Sequence, residues 1–120
     1  MALEDSRPAL GRVGEDAAAS LYERWGYEII DRNYRAGRGE IDLVVRRGVT
    51  VVFCEVKTRR HDAFGAPYEA VHNDKQRRLR RLAARWLADR RPGPVEVRFD
   101  VVSVIVRAGR VELEYIEDAF

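Results

Sequence analysis

The sequence has little that would brace or anchor a fold from outside its own core. Its one cysteine, Cys54, leaves no internal disulfide and fits a reducing compartment. Its two histidines, His61 and His72, have no partners at zinc-ligand spacing and read as surface residues. Met1 to Leu10 carries Glu4, Asp5 and Pro8 and lacks the apolar stretch of a signal peptide. No apolar run approaches the roughly 20 residues of a membrane span. The expectation is a cytoplasmic protein without membrane contact. Repeats, low-complexity tracts and linkers are also missing. The 120 residues therefore read as a single domain, 1–120, with 1–10 a frayed lead-in.

What is present is ordinary hydrophobicity (46%), abundant charge (35%) and an uneven distribution of that charge. The formal net charge is only +2. Yet residues 75–91 hold eight Lys or Arg against Asp89 alone, so that stretch is +7 and the remainder −5. Partners feel local fields, so the asymmetry matters more than the total.

Apolar and small residues recur at helical spacing from Gly11 to Trp25, and Gly26 is placed to end that helix. Strands are expected at Tyr27–Tyr34, Glu40–Arg46 and Val49–Thr58, with turns at Arg35–Gly39 and Arg47-Gly48. The third strand is almost continuously apolar, as a central strand buried on both faces would be. Arg59–Tyr68 reads as a loop, and Asn73–Arg90 as a long helix stopped by Pro92-Gly93-Pro94. Val95–Val106 and Val111–Ile116 complete the order α-β-β-β-α-β-β. The expected fold is α/β: a single mixed β-sheet flanked by helices. Cys54, Trp25 and Trp86 are expected in its core.

Alternation places Asp42 on one face of the second strand and Glu55 and Lys57 on one face of the third. A two-residue turn pairs even with odd positions, so Asp42 and Glu55 are expected on the same side. A buried carboxylate costs several kcal/mol unless it is paired or bound to a metal. Two adjacent carboxylates suit Mg²⁺ or Mn²⁺, with the Val56 carbonyl a further oxygen donor. Lys57 would then orient the attacking water or stabilise charge at phosphorus. Spacing alone leaves a second reading open, a cross-strand Glu–Lys–Asp ion pair.

Asp42 followed at this distance by Glu55-Val56-Lys57 resembles the PD-(D/E)XK nuclease pattern. The wider context resembles the bacterial YraN family across nearly the whole chain. It comprises Gly14-Glu15, Asn33-Tyr34-Arg35, Gly39-Glu40-Ile41-Asp42-Leu43 and Val52–Arg59. Phe64-Gly65, Glu69-Ala70-Val71 with Lys75, Arg98–Val102 and Ala119-Phe120 belong to the same pattern. That resemblance implies a restriction-endonuclease-like core, similar to archaeal Holliday-junction resolvases. It makes Asp42 and Glu55 metal ligands, Lys57 the catalytic lysine and Glu15 a helix-borne catalytic acid. Glu40-Ile41-Asp42 stands where the pattern's name has Pro-Asp.

The flanking residues carry two readings each. Glu15 leans toward the sheet or favours the helix dipole from solvent. Lys75 reaches a phosphate or snorkels at a helix start. Arg77, Arg78 and Arg81 form a solvated face or a phosphate-backbone site, the preferred reading, joined by Arg59 and Arg60. Three functions follow as expectations. The first is a metal-dependent endonuclease acting on DNA, with branched or damaged DNA among its candidate substrates. The second is a nucleic-acid-binding module without efficient catalysis, and the third a protein-interaction module. Symmetric cutting of a four-way junction would need a homodimer.

Overall fold

The computed structural model describes residues 6–60 and 73–120. The expected loop through Tyr68, with His61, Phe64-Gly65 and Glu69-Ala70-Val71, and also His72, lies outside them from residue 61 on.

Helix α1 spans Ser6–Arg24, so it starts inside the stretch expected to fray. Pro8 falls in its first turn, where a missing N–H leaves no helical hydrogen bond unmade. Gly26 ends it as expected, at φ 86. The Tyr27 N–H bonds to the Tyr22 carbonyl and the Gly26 N–H to that of Glu23, each at 3.0 Å, the Schellman closure.

The strands are β1 (Glu28–Ala36), β2 (Gly39–Arg47), β3 (Thr50–Arg60), β4 (Glu96–Arg107) and β5 (Arg110–Ile116), with α2 (Asn73–Arg90) between β3 and β4. They form one sheet in the order β1-β2-β3-β4-β5. β3 and β4 run parallel and the other pairs antiparallel, so the sheet is mixed. A parallel pair needs a crossover, and α2 lies on it. β3 is central and covered on both faces, which accounts for its apolar run. It also runs past Thr58. Arg59 and Arg60 pair with Ile105 and Val106 instead of opening a loop, because β4 is long enough to extend the ladder.

Each helix covers one face. Ala18 and Tyr22 of α1 pack with Leu43, Val45, Val52 and Cys54. Leu79, Leu82, Ala83 and Trp86 of α2 pack with Ile41, Val44, Val51 and Phe53. Two glycines set how closely the helices approach. A Cβ on Gly14 would lie 1.8 Å from Thr58 Oγ1, and one on Gly39 would lie 2.5 Å from Leu82 Cδ1. Both contacts flank the residues singled out above.

The α1 side of β4 holds a buried polar knot. Asp100 is 1% exposed. It accepts hydrogen bonds from Tyr22 (2.7 Å), Tyr115 (2.8 Å) and the Asp118 N–H (3.0 Å), and a bidentate pair from Arg98 at 2.9 and 3.0 Å. Every charge there is matched, as burial demands. Trp25 corrects an expectation: it is 40% exposed, lying against Tyr115 at 4.7 Å between centroids. It lies inside the Schellman turn, past the last helical residue Arg24, and so off the apolar stripe.

Candidate functional site

The antiparallel ladder of β2 and β3 runs from the Arg47↔Thr50 pair to the Leu43↔Cys54 pair and stops. Beyond it, β2 pairs only with β1, and β3 only with β4. The sheet therefore forks where Asp42 and Glu55 stand opposite one another.

Asp42 reaches the fork by a route that strand parity does not foresee. Leu43 packs on the α1 side while Ile41 packs on the α2 side, so β2 changes face at Asp42. β1 does the same across Asn33, whose φ is 54. Its neighbour Arg32 pairs with Asp16 of α1, whereas Tyr34 bonds to Asp89 of α2. The Asp42 carboxylate consequently points along the sheet rather than out of it. Its Oδ2 accepts the Val56 N–H at 2.7 Å, in place of the missing ladder bond. N–H and C=O of one strand residue share a direction, so the Val56 carbonyl also opens into the fork.

A pocket of about 270 Å³ occupies this fork, lined among others by Arg38, Glu40, Asp42, Glu55, Lys57, Lys75 and Arg78. Burial raises the Asp42 pKa from 3.8 to about 7; the Val56 N–H opposes the rise, while the charges of Glu55, Glu15 and Glu40 add to it. Glu55 is buried, and the Lys75 ammonium forms an ion pair with its Oε2. That oxygen receives no hydrogen bond from the described residues. Among them, no three His, Cys, Asp or Glu side chains group to hold a metal ion. The oxygen donors at the fork are thus two carboxylates and a backbone carbonyl. Such a set leaves coordination places for water and phosphate, the usual manner of Mg²⁺.

Glu15 is not in this pocket. It lines an adjoining cleft with Arg12, Asn33 and Glu40. With its amide turned to donate, Asn33 reaches Glu40 Oε2 at 2.9 Å and the two Glu15 oxygens at 3.2 and 3.3 Å. The opposite orientation would set amide oxygen against carboxylates. Glu40 lines both cavities and joins them. Asn33, Glu40 and Arg38 were given no role by the sequence reading, although two of them stand in its quoted motifs. An Asn forced to positive φ beside two glutamates is the signal that tertiary structure adds.

The basic residues divide. Lys57 is half-buried on the pocket wall, and Arg78 is exposed at its mouth. Arg81 follows Arg78 along α2, also exposed. No ion-pair partner of Lys57, Arg78 or Arg81 occurs among the described residues. Arg77 pairs with Asp74 at 2.7 Å, Arg85 with Asp89 at 3.4 Å and Arg90 with Asp31 at 2.7 Å. Arg80 stacks over Phe99, 4.9 Å from the ring centre. Arg59 and Arg60 extend β3 beyond Lys57, half-buried and exposed in turn. No helix among the described residues is long and apolar enough to cross a membrane.

Residues 14–104 match the model of the "Uncharacterised protein family UPF0102". A UPF0102 protein of Frankia alni is 49% identical over 116 residues, covering 96% of this chain and 97% of its own. One from Rhodococcus jostii is 48% identical over 113 residues, covering 93% and 96%. One from Syntrophus aciditrophicus is 44% identical over 110 residues, covering 92% and 87%. The chain belongs to this family, which is the YraN family of the motif resemblance. The matched span contains every candidate residue from Glu15 to Arg81.

Proposed function

We propose that this protein is a metal-dependent nuclease that hydrolyses phosphodiesters in nucleic acid, with DNA the preferred substrate. The observation that carries the reading is the fork. Asp42, Glu55 and the Val56 carbonyl offer hard oxygen donors, and Lys57 and Arg78 stand around them in one pocket. A cation flanked by basic side chains is what an anionic phosphodiester requires.

The residues fit Mg²⁺ or Mn²⁺. Glu55 Oε2 is a buried acceptor that, among the described residues, has only the Lys75 ammonium against it and no aligned hydrogen bond, and burial and the neighbouring carboxylates disfavour the charged form of Asp42. Asp42, Glu55 and the Val56 carbonyl would hold the ion. When bound, it would polarise a phosphoryl oxygen and make water more acidic. Lys57, two residues past Glu55 on the same strand face, donates hydrogen bonds to the attacking water or to the phosphoryl oxygens. Arg78 and Arg81 hold flanking phosphates, and Arg38 lines the same pocket as Arg78. Asn33 ties Glu15 to Glu40, so Glu15 acts on the centre through its charge rather than as a ligand.

The test is cleavage of linear, flapped and four-way DNA with Mn²⁺. Wild type should cut, and Lys57→Ala should lose about 100-fold or more while remaining folded. DNA binding without cleavage of any substrate would replace this reading with that of a nucleic-acid-binding module. Absence of both Mn²⁺ and DNA binding would remove both.

A further inference from the structure

Glu55 already holds a cation that belongs to the chain. Its carboxylate is 8% exposed, and Lys75 provides its ion pair. Among the described residues no aligned hydrogen bond reaches Oε2 besides this ion pair. Its partner is therefore one point charge on a flexible stem rather than a set of aligned donors. Lys75 itself is 42% exposed. It stands in the first turn of α2, ahead of Leu79, which anchors the helix in the core. Its partly exposed side chain has solvent to swing into.

We infer that Lys75 is a displaceable counter-ion. A divalent cation competes with its ammonium for Glu55, and the released lysine binds a substrate phosphate at the pocket mouth. The inference rests on the metal reading above. Lys75 offsets the charge of Glu55 in the empty site. A divalent ion seated on Glu55 would stand against that ammonium, and like charges at contact repel. The nearest new anion is the phosphate of the substrate, and Arg78 beside Lys75 already faces that direction. Lys75 thus opposes metal binding in the empty site and favours the complex with substrate.

These two effects have opposite signs, which a lysine serving only to hold α2 in place would not produce. The experiment is calorimetric titration of Mn²⁺ into wild type, Lys75→Met and Lys75→Gln without nucleic acid. Binding of a DNA duplex in Mn²⁺ is then measured in the Lys57→Ala background, where turnover is blocked. Both Lys75 variants should bind Mn²⁺ about fivefold more tightly, the equivalent of about 1 kcal/mol, for a pair whose lysine is partly exposed. Both should bind DNA severalfold more weakly. Lys75→Gln keeps a polar head, so a folding defect confined to the methionine variant does not decide the result. Mn²⁺ affinity that is unchanged or weaker in the variants, with wild type binding normally, overturns the inference and leaves the metal centre standing. No Mn²⁺ binding by any of the three proteins overturns both.

Discussion

Removing the charge of Asp42 should stabilise the metal-free protein at neutral pH and do much less in acid. In the folded chain this carboxyl titrates at about 7 instead of 3.8, through burial first and then repulsion from Glu55, Glu15 and Glu40. Between those two pH values the unfolded chain gives up a proton that the folded chain keeps. The stability is therefore fully present below about pH 4, is lost as pH rises toward about 7, and stays lost beyond. At about 1.4 kcal/mol per pH unit, the ceiling on that loss is about 4 kcal/mol. Water entry and local adjustment reduce the penalty of a buried charge, so about 1–3 kcal/mol is expected. Asn is the right probe because its amide oxygen can still accept the Val56 N–H that Asp42 accepts at 2.7 Å.

The assay is urea unfolding of wild type and Asp42→Asn with a chelator present, at pH 5 and pH 8. The advantage of the variant should grow by about 1–2 kcal/mol from the lower pH to the higher. Mn²⁺ should then reverse the order, raising the stability of wild type by mass action and leaving the variant unmoved. An advantage independent of pH, or a wild type more stable than the variant at pH 8 without metal, refutes the account of Asp42.

Three further outcomes follow from the packing and the charges. Gly14→Ala should cost about 1–3 kcal/mol in thermal unfolding, because its Cβ would fall 1.8 Å from Thr58 Oγ1 and push α1 off β3. Asp100→Asn should cost about 3–5 kcal/mol in urea, since it leaves Arg98, 17% exposed, without its bidentate partner. Arg78→Ala and Arg81→Ala should each weaken DNA binding uniformly across sequences and lower its salt slope by about 1. Arg77→Ala should do less, because Asp74 already neutralises that side chain.

Legibility in the sequence followed physical range. The periodicity of α2 and its Pro-Gly-Pro stop gave bounds that the structure repeats, Asn73–Arg90. Gly26 was readable as a helix end because the left-handed turn suits glycine. The mixed sheet was legible from the order of elements. The fork was not, because it depends on β1 and β2 changing face together at Asn33 and Asp42. No alternation rule contains that event. Parity placed Asp42 and Glu55 on one face, whereas the structure brings them to one pocket with Asp42 turned toward the β3 backbone. The Asp100 knot was invisible for a similar reason. Its donors come from Tyr22, Arg98, Tyr115 and Asp118, which only tertiary structure gathers.

The same distinction changes how the basic helix should be understood. Counted along the chain, residues 75–91 look like one cationic surface. In space, Asp31, Glu55, Asp74 and Asp89 each engage one of the basic side chains of α2, and Arg80 lies over Phe99. Among the described residues, Arg78 and Arg81 are the basic side chains of α2 without such a partner, and Arg78 lines the pocket together with Lys57. A surface of eight free charges would grip any polyanion along its length. Unpaired charge at a pocket, as with Arg78 and Lys57, instead concentrates its field there, where Asp42 and Glu55 would otherwise repel a phosphate. Under the proposed function, the acids on α2 and β1 would restrict nucleic-acid affinity to the place where the chemistry occurs.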